Sequence, residues 1–489
     1  MLFTSLEFFL FLPLALAVFG ALPAAARWAW LLVASCVFYG WHHPANLVFL
    51  AAVTMLVWGC GALMRRAPTD FARRAWLTGG LVTLIGALVA FKFYDFAAGE
   101  LERLLRSGAP GFTIEAELPR LGITAPAGFS FYVFSAASYL VDAFARRLPM
   151  EPHAGQLALY VAWFPKIFAG PIERATTFLP QWHARPTPQQ LVLGAQLIVW
   201  GLIKKVLIAD NLAPLVDKAF GIAAFATPVD LLIAVYFFAF QIYCDFSGYT
   251  DIAIGVSMLF GIQLVENFRR PYLSRSTAEF WGERWHISLG RWFRDYLYIP
   301  LGGSRTGRAR QYLNLMLVFI ASGLWHAGLG YGVGWTFLVW GALNGGYQWA
   351  GLATRPLWTR LGERLPRIAK SLPWTALRVL LTFHLIAITW IFFRAKTLTD
   401  AWTILRKLGS NLLELPSLFS HYAFTSDQLM GFVLIALLLA IELVDERRSI
   451  FRRLTQAPLA WRWAASYAGI FALLVLGRWQ AREFIYMQF

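Results

Sequence analysis

Residues 230–262 read DLLIAVYFFAFQIYCDFSGYTDIAIGVSMLFGI, an apolar stretch with Asp245 and Asp251 set in its middle. A hydrocarbon core about 30 Å thick is crossed by about twenty helical residues, so this run is long enough for a broken or strongly tilted membrane helix. Ser247-Gly248 is the candidate break. A carboxylate facing lipid at that depth costs about 2.5–3.5 kcal/mol. Asp245 and Asp251 are therefore expected either to pair with arginines and hold helices together, or to line a wet cavity.

Similar apolar runs recur near 5–22, 28–41, 45–64, 76–97, 127–145, 190–210, 311–328, 333–351, 375–393, 428–444 and 464–482. Of the 489 residues, 58% are hydrophobic and only 14% charged, whereas a soluble chain carries roughly a quarter charged. The expected fold class is all-α: a polytopic integral membrane protein with about 10–12 transmembrane helices in a single membrane-embedded domain, 1–489. Residues 157–172 are apolar but interrupted by Pro165, Gly170 and Pro171, which suits a re-entrant element packed inside protein. Lys204 and Lys205 fall within a span, so they are expected to snorkel or to mark an earlier helix end. Met1 to Leu22 has no basic leading region, and reads as a first span or a helix lying along the membrane instead of a removed signal. No internal repeat of the transporter kind is visible.

The net charge of +16 does not form a nucleic-acid stripe. The arginines fall in short clusters between apolar runs, where orientation signals belong. Arg65, Arg66, Arg73 and Arg74 put loop 65–75 inside, and Arg146 and Arg147 return the chain there. Arg355, Arg360, Arg364, Arg367 and Lys370 do the same for loop 354–374, and Arg447, Arg448, Arg452 and Arg453 for the last inner loop. Loop 98–126, richer in glutamate, is expected outside. With twelve spans, both termini lie outside. Cys36, Cys60 and Cys244 sit in apolar segments, a spacing that suggests neither a disulfide framework nor a zinc site; no metal is expected.

Two further stretches carry polar groups that need a reason. In 280–296, FWGERWHISLGRWFRDY, Trp281, Trp285, Leu289, Trp292 and Tyr296 fall on one helical stripe. An amphipathic helix at the interface is expected, its basic surface facing acidic lipid headgroups or a polyanionic ligand; His286 is the residue that the stripe leaves unexplained. The third stretch is Ser322-Gly-Leu-Trp-His326, at the far end of an apolar run. His326 is either a hydrogen-bonded core residue or a base. On one helix from the inner face it lies about 22 Å across, and imidazole accepts and returns a proton near neutrality.

Several long blocks in fixed order resemble the membrane-bound O-acyltransferase superfamily, in its alginate O-acetylation branch. They are Phe164-Pro-Lys-Ile-Phe-Ala-Gly-Pro-Ile172, Asp245 to Asp251, Glu279-Phe-Trp-Gly-Glu-Arg-Trp-His-Ile-Ser288, Arg294 to Arg305, and Gly323-Leu-Trp-His326. The resemblance extends from Phe3–Pro13 through Pro126–Tyr132 to Trp390–Arg394. It implies helices around a central funnel that donor and acceptor enter from opposite faces, with His326 catalytic and His286 the second family histidine. It also implies an acyl donor that is a cytoplasmic thioester, acetyl-CoA, with no bound cofactor. The implied acceptor is a periplasmic serine-hydrolase-like partner that, with polysaccharide export machinery, esterifies an exported polysaccharide such as alginate, at a bacterial inner membrane. Two positions depart from the family pattern: Ala327 stands where a glycine usually follows the histidine, and Lys166 where a histidine is often found.

The mechanism expected is general-base attack by an acceptor hydroxyl on the thioester, with His326 as base. His286 would hydrogen-bond the donor carbonyl or orient His326. An alternative has His326 carry the acyl group transiently. Asp245, Asp251, Arg294, Trp325 and Trp285 are candidates for the channel wall. Two other readings are D-alanyl transfer to teichoic acid from a carrier protein, and a transporter or flippase in which the histidines relay protons.

Overall fold

The computed structural model describes residues 1–107, 118–120, 122, 125–305, 307–327, 334–448, 450–479 and 482–485. All regular structure among them is helical, and helices occupy each of the twelve expected positions. Seven are long and apolar enough to cross a membrane: Asn46–Arg66, Asp70–Arg106, Pro188–Gly221, Pro228–Leu259, Leu372–Arg394, Ser426–Arg447 and Leu459–Leu476. Leu6–Ala21, Ala24–Gly40 and Phe129–Phe144 are apolar but shorter. Arg308–His326 and Trp335–Arg364 have the length and more polar faces. The chain is a multi-pass membrane protein. Much of the expected outer loop 98–126 lies outside the described residues, and the helix before it continues to Ser107.

Local chemistry starts these helices where they start. Thr187 and Gln190 form a reciprocal capping box ahead of Pro188. Thr227 caps the next long helix by accepting from the Asp230 amide, with Pro228 in the first turn.

The deciding stretch is one unbroken helix, Pro228–Leu259, and it does not break at Ser247-Gly248. Gly248 serves close approach instead of bending. A β-carbon on Gly248 would lie 2.8 Å from the Gly201 carbonyl oxygen, and one on Gly255 2.5 Å from that of Gly194. Two glycine pairs spaced by seven residues thus bring antiparallel backbones into direct contact, the small-residue packing that membranes favour.

That contact places a buried ion network. The helix from Pro188 passes through a π-helical turn, Ile203–Ala209, and continues as Asp210–Gly221. Lys204 and Lys205 neither snorkel nor end the helix. The π turn aims them inward, where Lys204 meets Asp251, and Lys205 lies 2.9 Å from Asp210 and 2.8 Å from Asp245. The partners are lysines and not the expected arginines, because the π turn puts Lys204 and Lys205 on the face packed against the acids. The near-C-terminal residues join in: the Ile485 amide donates to Asp245 at 2.7 Å, and Lys205 Nζ sits 4.6 Å over the Phe484 ring.

Residues 154–172 form a helix, Ala154–Ala162, followed by an irregular segment buried throughout. Its backbone is tied to protein on several sides: the Phe164 amide donates to Ser35 Oγ, and the Pro165 carbonyl accepts from Tyr249. Non-helical backbone at membrane depth needs such partners. Cys36, Cys60 and Cys244 are free thiols.

Candidate functional site

The expected interfacial helix over 280–296 is not one helix. A π turn, Phe280–Arg284, is followed by a break at Trp285-His286, the helix Ile287–Phe293, and a second π turn, Arg294–Tyr298. His286 holds φ 44° and ψ 52°, a left-handed conformation uncommon for a side-chain-bearing residue. Backbone pairing with the preceding segment sets this shape. The Arg269 amide donates to the Arg284 carbonyl, and the Ile287 amide to the Asn267 carbonyl, both at 2.9 Å. Arg284 further bonds Glu279 and Glu446, each at 2.8 Å, tying the turn to the end of the Ser426–Arg448 helix. The tryptophans face protein: Trp285 and Trp292 are buried, and Trp292 donates to the Phe134 carbonyl at 2.9 Å.

This folded turn buries His286 among the rings of Phe131, Phe246 and Phe268. Its Nδ1 lies 3.1 Å from Asn267 Oδ1. His326 ends the Arg308–His326 helix, which meets Trp335–Arg364 so closely that a β-carbon on Gly323 would come within 2.3 Å of the Phe337 carbonyl oxygen. His326 is also buried, with the rings of Trp340 and Phe393 each 5.3 Å away. Trp325 stands by both imidazoles, 4.7 Å from His326 and 6.1 Å from His286 between ring centroids. Lys92 reaches across from its own helix to bond the Trp325 carbonyl and lies 5.5 Å from the Trp325 ring. An ammonium at the last carbonyls of a helix complements its dipole.

Both histidines line one cavity of about 1480 Å³. Along the Arg308–His326 helix its wall is Gln311, Leu315, Val318, Phe319, Ser322 and His326, a single helical face. The cavity therefore follows that helix for about 22 Å of rise. Of its lining residues, Arg275, Arg294, Arg355 and Arg378 are exposed, whereas His286, His326 and Trp285 are buried. A charged mouth leading to buried imidazoles can hold a long ligand with an anionic head and a reactive tail.

Five candidate wall residues divide accordingly. Arg294 and Trp285 line the cavity. Asp245 and Asp251 lie in the lysine network, and Trp325 packs beside the histidines without being among the lining residues. Residues singled out by structure alone are Asn267, Ser288 and Lys92. A lysine within the apolar run 76–97 is the kind of signal that the cost of intramembrane charge exposes; Asn267, in a polar loop, gave none. Among the described residues, no group of three or more His, Cys, Asp or Glu is placed to hold a metal.

Fold and cavity together define a multi-pass helical membrane protein with a histidine-floored chamber. From residue 129 to 394 the chain matches MBOAT, the membrane-bound O-acyltransferase family, and it belongs to that family. It is similar to an Azotobacter vinelandii protein described as "Probable alginate O-acetylase", at 38% identity over 82% of this chain and 77% of the relative. A Helicobacter pylori "Peptidoglycan O-acetyltransferase" is 31% identical over 82% of this chain and 78% of its own length. More distant is a "Teichoic acid D-alanyltransferase" of Streptococcus thermophilus, 27% identical over 56% of this chain and 69% of its own. The chain is an acyltransferase, and the transporter reading falls away.

Proposed function

We propose that this protein moves an acetyl group from cytoplasmic acetyl-CoA through a bacterial inner membrane, for O-acetylation of an exported polysaccharide such as alginate. One observation carries the reading: the cavity that runs from four exposed arginines to His286 and His326. The arginines sit at the end that the positive-inside rule assigns to the cytoplasm, and guanidinium groups suit the phosphates of a coenzyme. His326 takes the proton from an acceptor hydroxyl as its oxygen bonds to the acyl carbon; the carbon–sulfur bond breaks, and the thiolate leaves and is reprotonated. The acceptor hydroxyl enters from the periplasmic side, on a serine-hydrolase-like partner that then esterifies the polysaccharide. Likeness to two O-acetyl-transferring relatives over most of the chain favours acetyl. The D-alanyl reading draws on a relative of lower identity and coverage.

The test is ester-linked acetate on the secreted polysaccharide of cells carrying wild type or His326→Ala at matched membrane levels. Acetate in the wild type alone supports the reading. Equal acetate in both removes His326 from the reaction, and acetate in neither moves the assignment to another acyl group.

A further inference from the structure

Asn267 is fully buried, and its Oδ1 collects three groups: the Ser288 amide at 3.1 Å, the Ser288 hydroxyl at 2.9 Å and His286 Nδ1 at 3.1 Å. The Ser288 hydroxyl in turn accepts from the Ile172 amide at 3.0 Å, in the irregular segment after the Ala154–Ala162 helix. Backbone amides only donate, so both ends of this chain have a fixed direction. The Ile172 amide makes Ser288 Oγ an acceptor and leaves its hydrogen for Asn267. The Ser288 amide identifies the receiving atom of Asn267 as its carbonyl oxygen and not its amide nitrogen. An amide oxygen cannot donate, so the hydrogen between Asn267 and His286 belongs to Nδ1.

The ring is packed by the uncharged Phe131, Phe246 and Phe268, where an imidazolium would give up its hydration. A neutral ring protonated at Nδ1 carries its lone pair on Nε2. We propose that Asn267 is a positioning residue that fixes His286 as the Nδ1–H tautomer, making Nε2 a hydrogen-bond acceptor for a hydroxyl or thiol and not a donor to a carbonyl. The role of donating to the acyl carbonyl, open to His286 from sequence, is closed by this arrangement. The proposal rests on the two-histidine reading of the cavity for its consequence in turnover, though not for the tautomer itself.

The experiment is nitrogen NMR on full-length protein labelled with ¹⁵N-histidine in lipid nanodiscs, with His286→Gln assigning the His286 signals by difference. Wild type is expected to show a protonated Nδ1 and a pyridine-type Nε2 at His286, and Asn267→Asp to keep that pattern because a carboxylate oxygen still accepts. Asn267→Ala is expected to show mixed or reversed tautomers. In turnover, Asn267→Ala lowers kcat about 10- to 100-fold, the scale for removing an orienting partner, with KM changed less than about twofold, and Asn267→Asp restores most of it. A protonated Nε2 in wild type overturns the proposal, as does an unchanged tautomer in Asn267→Ala, whatever its kcat. If Asn267→Ala does not fold, wild type and Asn267→Asp decide alone. The spectra need no turnover, so a failed acetyl assignment and a failed tautomer assignment are told apart.

Discussion

Lys205 Nζ lies 2.8 Å from Oδ1 of Asp245, and both residues sit within helices that pack through facing glycines. Asp210, 2.9 Å away, completes the triad. Removing one partner of a buried ion pair costs about 3–5 kcal/mol, because the other charge is left without compensation. Lys205→Met strands two carboxylates, whereas Asp245→Asn leaves the lysine with Asp210. Thermal unfolding in detergent is expected to show a large drop for Lys205→Met and a smaller one for Asp245→Asn. Equal drops would mean that the three groups do not act as one network.

Gly248 and Gly346 make opposite predictions for one chemical change. An added methyl at Gly248 meets the Gly201 carbonyl oxygen, while nothing lies within 4 Å of one at Gly346. Gly248→Ala is expected to destabilise by about 1–3 kcal/mol through overpacking. Gly346→Ala, in an open stretch of helix, is expected to be neutral or stabilising by up to about 1 kcal/mol. Thermal midpoints of the two purified variants check both.

Arg355 and Arg378 stand at the exposed end of the cavity, far from His326. Binding that does not change between ground and transition state appears in KM alone. Arg355→Ala is expected to raise KM for acetyl-CoA about five- to tenfold, from about 1–1.4 kcal/mol of lost phosphate contact, with kcat unchanged. Acetyl-pantetheine, which lacks the nucleotide, should be used equally by wild type and variant. A loss confined to kcat would place the arginine elsewhere in the mechanism.

The sequence made the helices legible because apolar length is a long-range signal that every span repeats: a helix falls at each of the twelve expected positions, although the last runs Leu459–Leu476 where 464–482 was expected. Where the reading failed, a local rule met a tertiary contact. Ser247-Gly248 carries the marks of a kink, yet Gly248 is spent on approach to Gly201. Lys204 and Lys205 look like a helix end, yet a π turn redirects them to Asp251 and Asp245, forty or more residues away in sequence. The tryptophan stripe of 281–296 has helical spacing, but backbone pairing of 267–269 with 284–287 folds it at His286. His286 and His326 stood out as polar residues in apolar surroundings. Asn267 did not, because its importance lies in three bonds that only the folded turn creates.

The proposed route takes the thioester from the arginine side, reacts it at His326 and leaves the product on the opposite side. It is tested most directly with purified protein in sealed proteoliposomes of known orientation, with labelled acetyl-CoA confined to one face and a hydroxyl acceptor on the other. Acetylated acceptor is expected only when acetyl-CoA is on the face bearing Arg355 and Arg378, and none with His326→Ala. Equal transfer from either face, or transfer by His326→Ala at the wild-type rate, would contradict it.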